Sequence, residues 1–376
     1  MTRTIGPGAA MCARFYAQCI RPIVDAHFPG LPHAAGLLDS GSEVLGFDDA
    51  MSRDHDWGPR AQLFVCEDDF TRHKADIRNV LAHELPRTFE GFPTNFSEPD
   101  TTDGGTRWME PAAEGPVNHR VVVTTAARFF RDYLDFDPAQ ALDTFDWLSF
   151  SEQPLRTVTR GPLFQDGIGL QYVRERLKYY PRDVWLYLQA ACWQRISQEE
   201  HLMGRAGLAG DEVGSALIGA RLVRDAMRVC FLLSREYTPY AKWLGTAFRQ
   251  LQLGAALYPA LREVLQAQSW QEREQHLLVI YETLAHAHNA LGLTRRVAEN
   301  ATPFFGRPFK VITHNGIVAA LTEAIADPAL AHMASQKPVG SLDLFSDNTD
   351  LVTAVSRRAA VRQLIEGGER SRPERS

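Results

Sequence analysis

The stretch Asp39-Ser40-Gly41-Ser42-Glu43-Val44-Leu45-Gly46-Phe47-Asp48-Asp49-Ala50-Met51-Ser52-Arg53-Asp54-His55-Asp56-Trp57-Gly58 is the most informative in the chain. Ahead of it, the apolar run Ala34-Ala35-Gly36-Leu37-Leu38 leads into Gly41-Ser42 as a strand leads into a tight turn. A second strand starting near Asp54 puts Asp54 and Asp56 on one face, because side chains along a strand alternate with period two. Two carboxylates on one face, beside a turn with exposed backbone N–H groups, suit a divalent metal and a triphosphate together. Phosphoryl and nucleotidyl transfer need that arrangement.

The parts of this pattern are a Gly-Ser turn (Gly41, Ser42), a second glycine (Gly46) and Asp-x-Asp (Asp54-His55-Asp56). In that order they resemble the active-site signature of the nucleotidyltransferase superfamily, the polymerase-beta-like and antibiotic-adenylylating enzymes. The wording G-S-E-V-L-G-F-D and S-R-D-H-D-W-G-P-R also resembles a bacterial branch known as domain of unknown function 4037. The chain departs from the superfamily pattern in three ways. Ser52-Arg53-Asp54 is one residue longer than the usual approach to the first aspartate, His55 replaces an aliphatic residue, and Glu43 and Val44 stand where arginines often follow Gly-Ser. These departures bear on nucleotide preference more than on metal binding.

The resemblance implies two Mg²⁺ ions held by Asp54 and Asp56, ATP or another nucleoside triphosphate as co-substrate, and a third acid on a neighbouring strand. The β-branched run Val121–Thr125 carries no acid. Asp166, delivered to Gly167 by an apolar run, is the best candidate, as third metal ligand or as general base; the plainer alternative is an Asx-type turn. Gly41 lets the backbone approach a phosphate closely, and Ser42 is expected to bond a phosphate oxygen. Lys242, in Tyr240-Ala241-Lys242-Trp243, is expected to reach the triphosphate or else to pack its stem on Trp243. Arg53 and Arg60 flank the acids, either to stabilise phosphate charge or to balance buried carboxylates. His286 and His288 are two apart on a helix and do not share a face.

The chain has 376 residues, a hydrophobic content of 45% and a charged content of 23%, as expected of a globular protein with two domains. A net charge of −6 argues against an extended nucleic-acid surface. It does not exclude one nucleotide bound through metal, and the resemblance implies a small polar molecule as acceptor. No apolar run approaches the roughly eighteen residues of a membrane-spanning helix, and the cytoplasm is the expected location. Five scattered cysteines without a C-x-x-C pair predict neither a disulfide framework nor a zinc site.

The predicted fold is α+β: a nucleotidyltransferase-like domain with a small mixed sheet over 1–180, a helical domain over 181–365 and a disordered tail over 366–376. Strands are expected at Pro59–Cys66 and Arg120–Thr125, with helices over Ala10–His27, Phe70–His83 and Ala126–Leu134. Long helices are expected at Asp183–Gly204, Asp211–Ser234, Pro239–Leu253 and Ser269–Asn289, and a shorter one at Gly316–Asp327. The Pro- and Gly-rich stretch Glu84–Asn118 reads as a long excursion with a short hairpin near Arg107–Met109. A catalytically silent nucleotide sensor that keeps the fold is the alternative function. A helical scaffold with an incidental motif is the third.

Overall fold

The computed structural model describes residues 6–49, 51–53, 57–102 and 105–366. The protein is α+β, with a small mixed sheet and many helices. The strands are β1 (Ala34–Gly36), β2 (Arg60–Phe64), β3 (Thr88–Phe89), β4 (Phe92–Pro93), β5 (Arg120–Thr124), β6 (Leu163–Asp166), β7 (Thr302–Pro303) and β8 (Lys310–Val311). The chain divides into two compact units. One runs up to Ala141 and includes Pro154–Lys178; the other takes Leu142–Gln153 and the chain from Tyr179 onward.

In the first unit the sheet order is β5-β2-β1-β6. β1 is antiparallel to both β2 and β6, whereas β2 and β5 are parallel. A parallel neighbour requires a crossover rather than a hairpin. The helix Glu67–Glu84, with Glu67, Asp68 and Asp69 in its first turn, occupies part of that crossover. Acids there favour the partial positive charge of a helix N-terminus. The remainder of the crossover is the excursion, which forms the β3–β4 hairpin and the bridges Phe96–Met109 and Asp100–Thr106. The central strands β1 and β2 are buried at every position. Phe15, Ile20, Leu63, Ile77, Leu81 and Val123 belong to one core around them. The N-terminal helical segment, expected as one helix, is interrupted ahead of Pro22. Pro7–Phe15 passes into a π-turn at Tyr16–Ile20, and Arg21–His27 restarts with Pro22 in its first turn. Proline has no N–H to give to the preceding turn, so the helix widens before it.

The second unit is built on the helices Arg182–Leu208 and Glu212–Leu233, joined by Ala241–Gln250, Gln252–Gln266 and Trp270–Ala290. Asp211 and Ser269 cap two of them through their side chains, the latter in a capping box with Glu272. Trp193, Phe231, Phe248 and Leu284 are fully enclosed; a buried side chain of this kind contributes about 1.5–3 kcal/mol. The segment Leu142–Gln153, read from sequence as part of the first domain, packs with this unit. Trp147 meets Tyr180 edge-on at 5.9 Å, and the Arg358 guanidinium lies 4.0 Å over the Phe150 ring while donating to Ser149 Oγ. Among the described residues beyond Asp327, four further α-helices follow, the last of them Arg358–Glu366. Glu366 thus ends a helix, and the rest of the expected tail lies outside the described residues. Among the described residues no helix is long and apolar enough to cross a membrane.

Candidate functional site

The Gly41–Ser42 turn follows the C-terminal end of β1, and its conformation is set by one buried cation. Arg60 opens β2, and the antiparallel register that pairs Gly36 with Gln62 carries it to this end of β1. Its guanidinium donates from Nη1 to Asp39 Oδ1 at 2.7 Å. Nε and Nη2 donate to Glu43 Oε1 at 2.9 and 2.6 Å, and Nη2 also donates to the Ser40 carbonyl at 2.6 Å. The Arg60 side chain is 3% exposed and that of Glu43 1%. Burial pushes the Glu43 carboxyl up, and the Arg60 cation opposes that shift without cancelling it. Of the two roles open to Arg60 in the sequence, the geometry assigns the balancing of buried carboxylates. Glu43, the departure from the arginine expected after Gly-Ser, is its partner.

Gly41 sits at φ 150° and ψ 141°. A Cβ there would overlap Arg60 Nη2 and come within 2.7 Å of Glu43 Oε2, so the clamp closes only over glycine. Ser42 begins a single helical turn, Ser42–Leu45. Gly46 ends it at φ 74°, where the Phe47 N–H donates to the Ser42 carbonyl at 2.9 Å. This is a left-handed C-terminal cap, which explains the second glycine of the motif. Asp48 then ties the turn to the N-terminal helix, with its Oδ2 accepting from the Gly8 N–H at 2.9 Å and from Trp57 Nε1 at 3.3 Å.

Asp54, His55 and Asp56 lie outside the described residues, as does the side chain of Arg53. Trp57, Gly58 and Pro59 precede β2 without being part of it. Asp166 is described, and it is occupied. Its Oδ1 accepts from the backbone N–H of Ile168, Gly169 and Leu170 at 3.3, 2.8 and 2.9 Å, and its Oδ2 accepts from Gln171 N–H at 2.8 Å. Desolvation raises this carboxyl, but the four backbone donors outweigh it and hold it below the usual carboxylate range. Asp166 therefore starts the helix Leu170–Arg176. It pairs across the sheet with Ala34, whereas Leu163 pairs with Gly36. Asp166 and the Gly41 turn thus stand at opposite ends of β1. The turn reading of Asp166 accounts for all these bonds, and a proton acceptor held low is a poor general base.

Lys242 belongs to the second unit, whereas Gly41, Ser42 and Asp166 belong to the first. It is exposed near the start of Ala241–Gln250, with Nζ 5.0 Å over the Trp243 ring. Tyr179, Tyr180 and Tyr237 form a ring cluster with centroids 5.1–5.2 Å apart, and Arg235 lies 4.8 Å over Trp185 beside it. Under this cluster sit acids that sequence reasoning missed. Glu152 Oε2 accepts from Thr238 N–H at 2.6 Å, and Asp343 Oδ2 accepts from Glu152 N–H at 3.0 Å. Burial first, and then the Glu152 charge, push Asp343 up to about 7. Nothing in local sequence joins residues this far apart; only the packed fold does. His286 and His288 have separate partners, Glu299 and Thr294. Among the described residues no three His, Cys, Asp or Glu side chains group as a metal site. All five cysteines are free.

Compared with known proteins, residues 147–244 match the family model of a domain of unknown function, DUF4037. The match starts in the helix Thr144–Ser149, ends in Ala241–Gln250 and takes in the tyrosine cluster and Lys242. It does not include Gly41-Ser42. No curated protein and no solved structure matches the chain.

Proposed function

We propose that the chain is a magnesium-dependent nucleotidyltransferase that moves a nucleoside monophosphate, AMP from ATP, to a hydroxyl of a small polar acceptor. The supporting observation is the buried clamp of Arg60 on Asp39, Ser40 and Glu43, which fixes a glycine-only turn at the end of the sheet where β2 begins. A phosphate site of this kind works through preorganisation, because donors already fixed need not reorganise when charge arrives. In this reading the Gly41–Ser42 turn receives phosphate oxygens, and Asp54 and Asp56 hold the divalent metal. A metal held there would neutralise phosphate charge and make the acceptor hydroxyl easier to deprotonate. The described residues do not by themselves supply a metal set, and Asp166 is committed to its helix. The metal therefore rests on Asp54 and Asp56.

That same commitment of Asp166 favours a second reading, a nucleotide-binding protein without turnover. The discriminating experiment is Asp54→Asn, followed by pyrophosphate release and by thermal stabilisation with ATP and Mg²⁺. Loss of release with an unchanged melting temperature supports transfer, whereas full activity in the variant sinks it. Binding in the wild type without release from any acceptor supports the silent binder.

A further inference from the structure

The hairpin formed by β7 and β8 ends in Phe304-Phe305-Gly306-Arg307, and the residue at its tip breaks two rules at once. Phe305 has φ 49°, the left-handed region that suits Gly, Asn or Asp and costs a bulky residue of order 1–3 kcal/mol. Its ring is also 78% exposed, so burial does not offset that cost. Neither backbone nor core asks for phenylalanine at this position. Beneath it the rings are ordered. His201 stacks on Phe304 at 4.8 Å with planes 24° apart, and His314 stacks on Phe304 at 5.6 Å with planes 21° apart. Phe305 stands edge-on to His314 at 5.1 Å and to Phe304 at 4.8 Å. Arg307 lies 5.6 Å over Phe304. His201, one turn before Arg205 on the helix Arg182–Leu208, is held below the ordinary imidazole range by burial first and then by the Arg205 and Arg307 charges. The surface thus combines an open aromatic face with two exposed guanidinium groups.

We infer that the Phe304–Arg307 tip is a binding site for a nucleoside phosphate, with the base stacked on Phe305 and the phosphate met by Arg307 and Arg205. Every base has a π-face, so aromatic stacking accepts any of them, and guanidinium groups supply charge for the phosphate. The net charge of −6 does not favour a long cationic groove, which limits the site to one or two nucleotides. All the residues lie in the second unit, so the inference stands apart from the transferase reading.

The test is fluorescence titration of the full chain with AMP and with a short single-stranded oligonucleotide, in EDTA so that any metal-dependent triphosphate site is silent. Phe305→Asn is the informative variant, because asparagine suits the left-handed backbone and the fold should be at least as stable. Binding is expected to weaken about tenfold or more in Phe305→Asn and to persist in Phe305→Trp. Arg307→Ala should reduce the salt dependence. Equal binding of both probes identifies the free nucleotide as source, and binding of the oligonucleotide alone identifies a strand. Binding of neither probe, or full binding in Phe305→Asn, overturns the inference.

Discussion

Arg60 decides the state of the candidate site at the scale of single residues. Removing it leaves Asp39 and Glu43 beside each other without a cation, and breaking a buried pair in this way costs about 3–5 kcal/mol. Arg60→Met is therefore expected to lose stability of that order in urea denaturation, whereas substitution of the exposed Arg21, in a surface pair with Asp25, should change it by less than about 1 kcal/mol. Gly41→Ala meets both a clash with Arg60 and a left-handed backbone. A loss of roughly 1–3 kcal/mol is expected in the same measurement; an unchanged midpoint would mean that the clamp is not rigid. Gly41 and Gly46 were legible in sequence because both take a positive φ that favours glycine. The role of Arg60 was not, since charge balance and phosphate contact ask for the same residue type. Only the β1–β2 register, which brings Arg60 back to residues Asp39–Glu43, separates them.

Elements were legible where local composition is enough. The run Arg120-Val121-Val122-Val123-Thr124 forms β5 because β-branched residues favour strands, and the long helices follow from their apolar periodicity. The short helices beyond Asp327 escaped notice. They span only four to nine residues, and local caps such as Asp327 and Asn348 fix them rather than a long apolar stripe. Asp166 was misleading for the opposite reason. An apolar run ending in an acid before glycine looks the same whether the acid faces a metal or starts a helix, and the β1–β6 register sets which end of the sheet it reaches. Asp166→Asn should cost about 1 kcal/mol as a weakened helix start and leave triphosphate binding intact. The wild-type carboxyl is held low, so its stabilisation is full above the ordinary carboxylate range and is lost as pH falls from that range through its own lowered value. The variant should show a flatter acid limb in pH-dependent melting. Glu200 gives the reverse sign. It accepts from the Ile312 N–H at 2.8 Å and from Thr313, and burial raises it from 4.5 to about 7 despite those bonds. Stability from this group is full below about pH 4.5 and declines as pH rises to about 7. Glu200→Gln should remove that slope in a series of melts from pH 4 to 8; persistence of the slope would assign it to other groups such as Asp343.

At the scale of the whole molecule, the chemistry-bearing residues divide between two units. The motif from which transfer is proposed lies in the first, and most of the matched family segment lies in the second. A sequence pattern shows the turn and the aspartates, but not an acceptor, because acceptor surfaces carry no spacing code. Nucleotidyl transfer as proposed requires Asp54 and Asp56 to hold a metal for the phosphate received at the clamped Gly41–Ser42 turn. The most direct test measures pyrophosphate release from each nucleoside triphosphate with Mg²⁺, in wild type and in the Asp54→Asn/Asp56→Asn double variant, against aminoglycosides, lincosamides, nucleosides and cell extract. The account predicts release by the wild type with at least one acceptor and its loss in the double variant, with folding unchanged. Release that survives in the double variant, or none from the wild type with any acceptor, would contradict it.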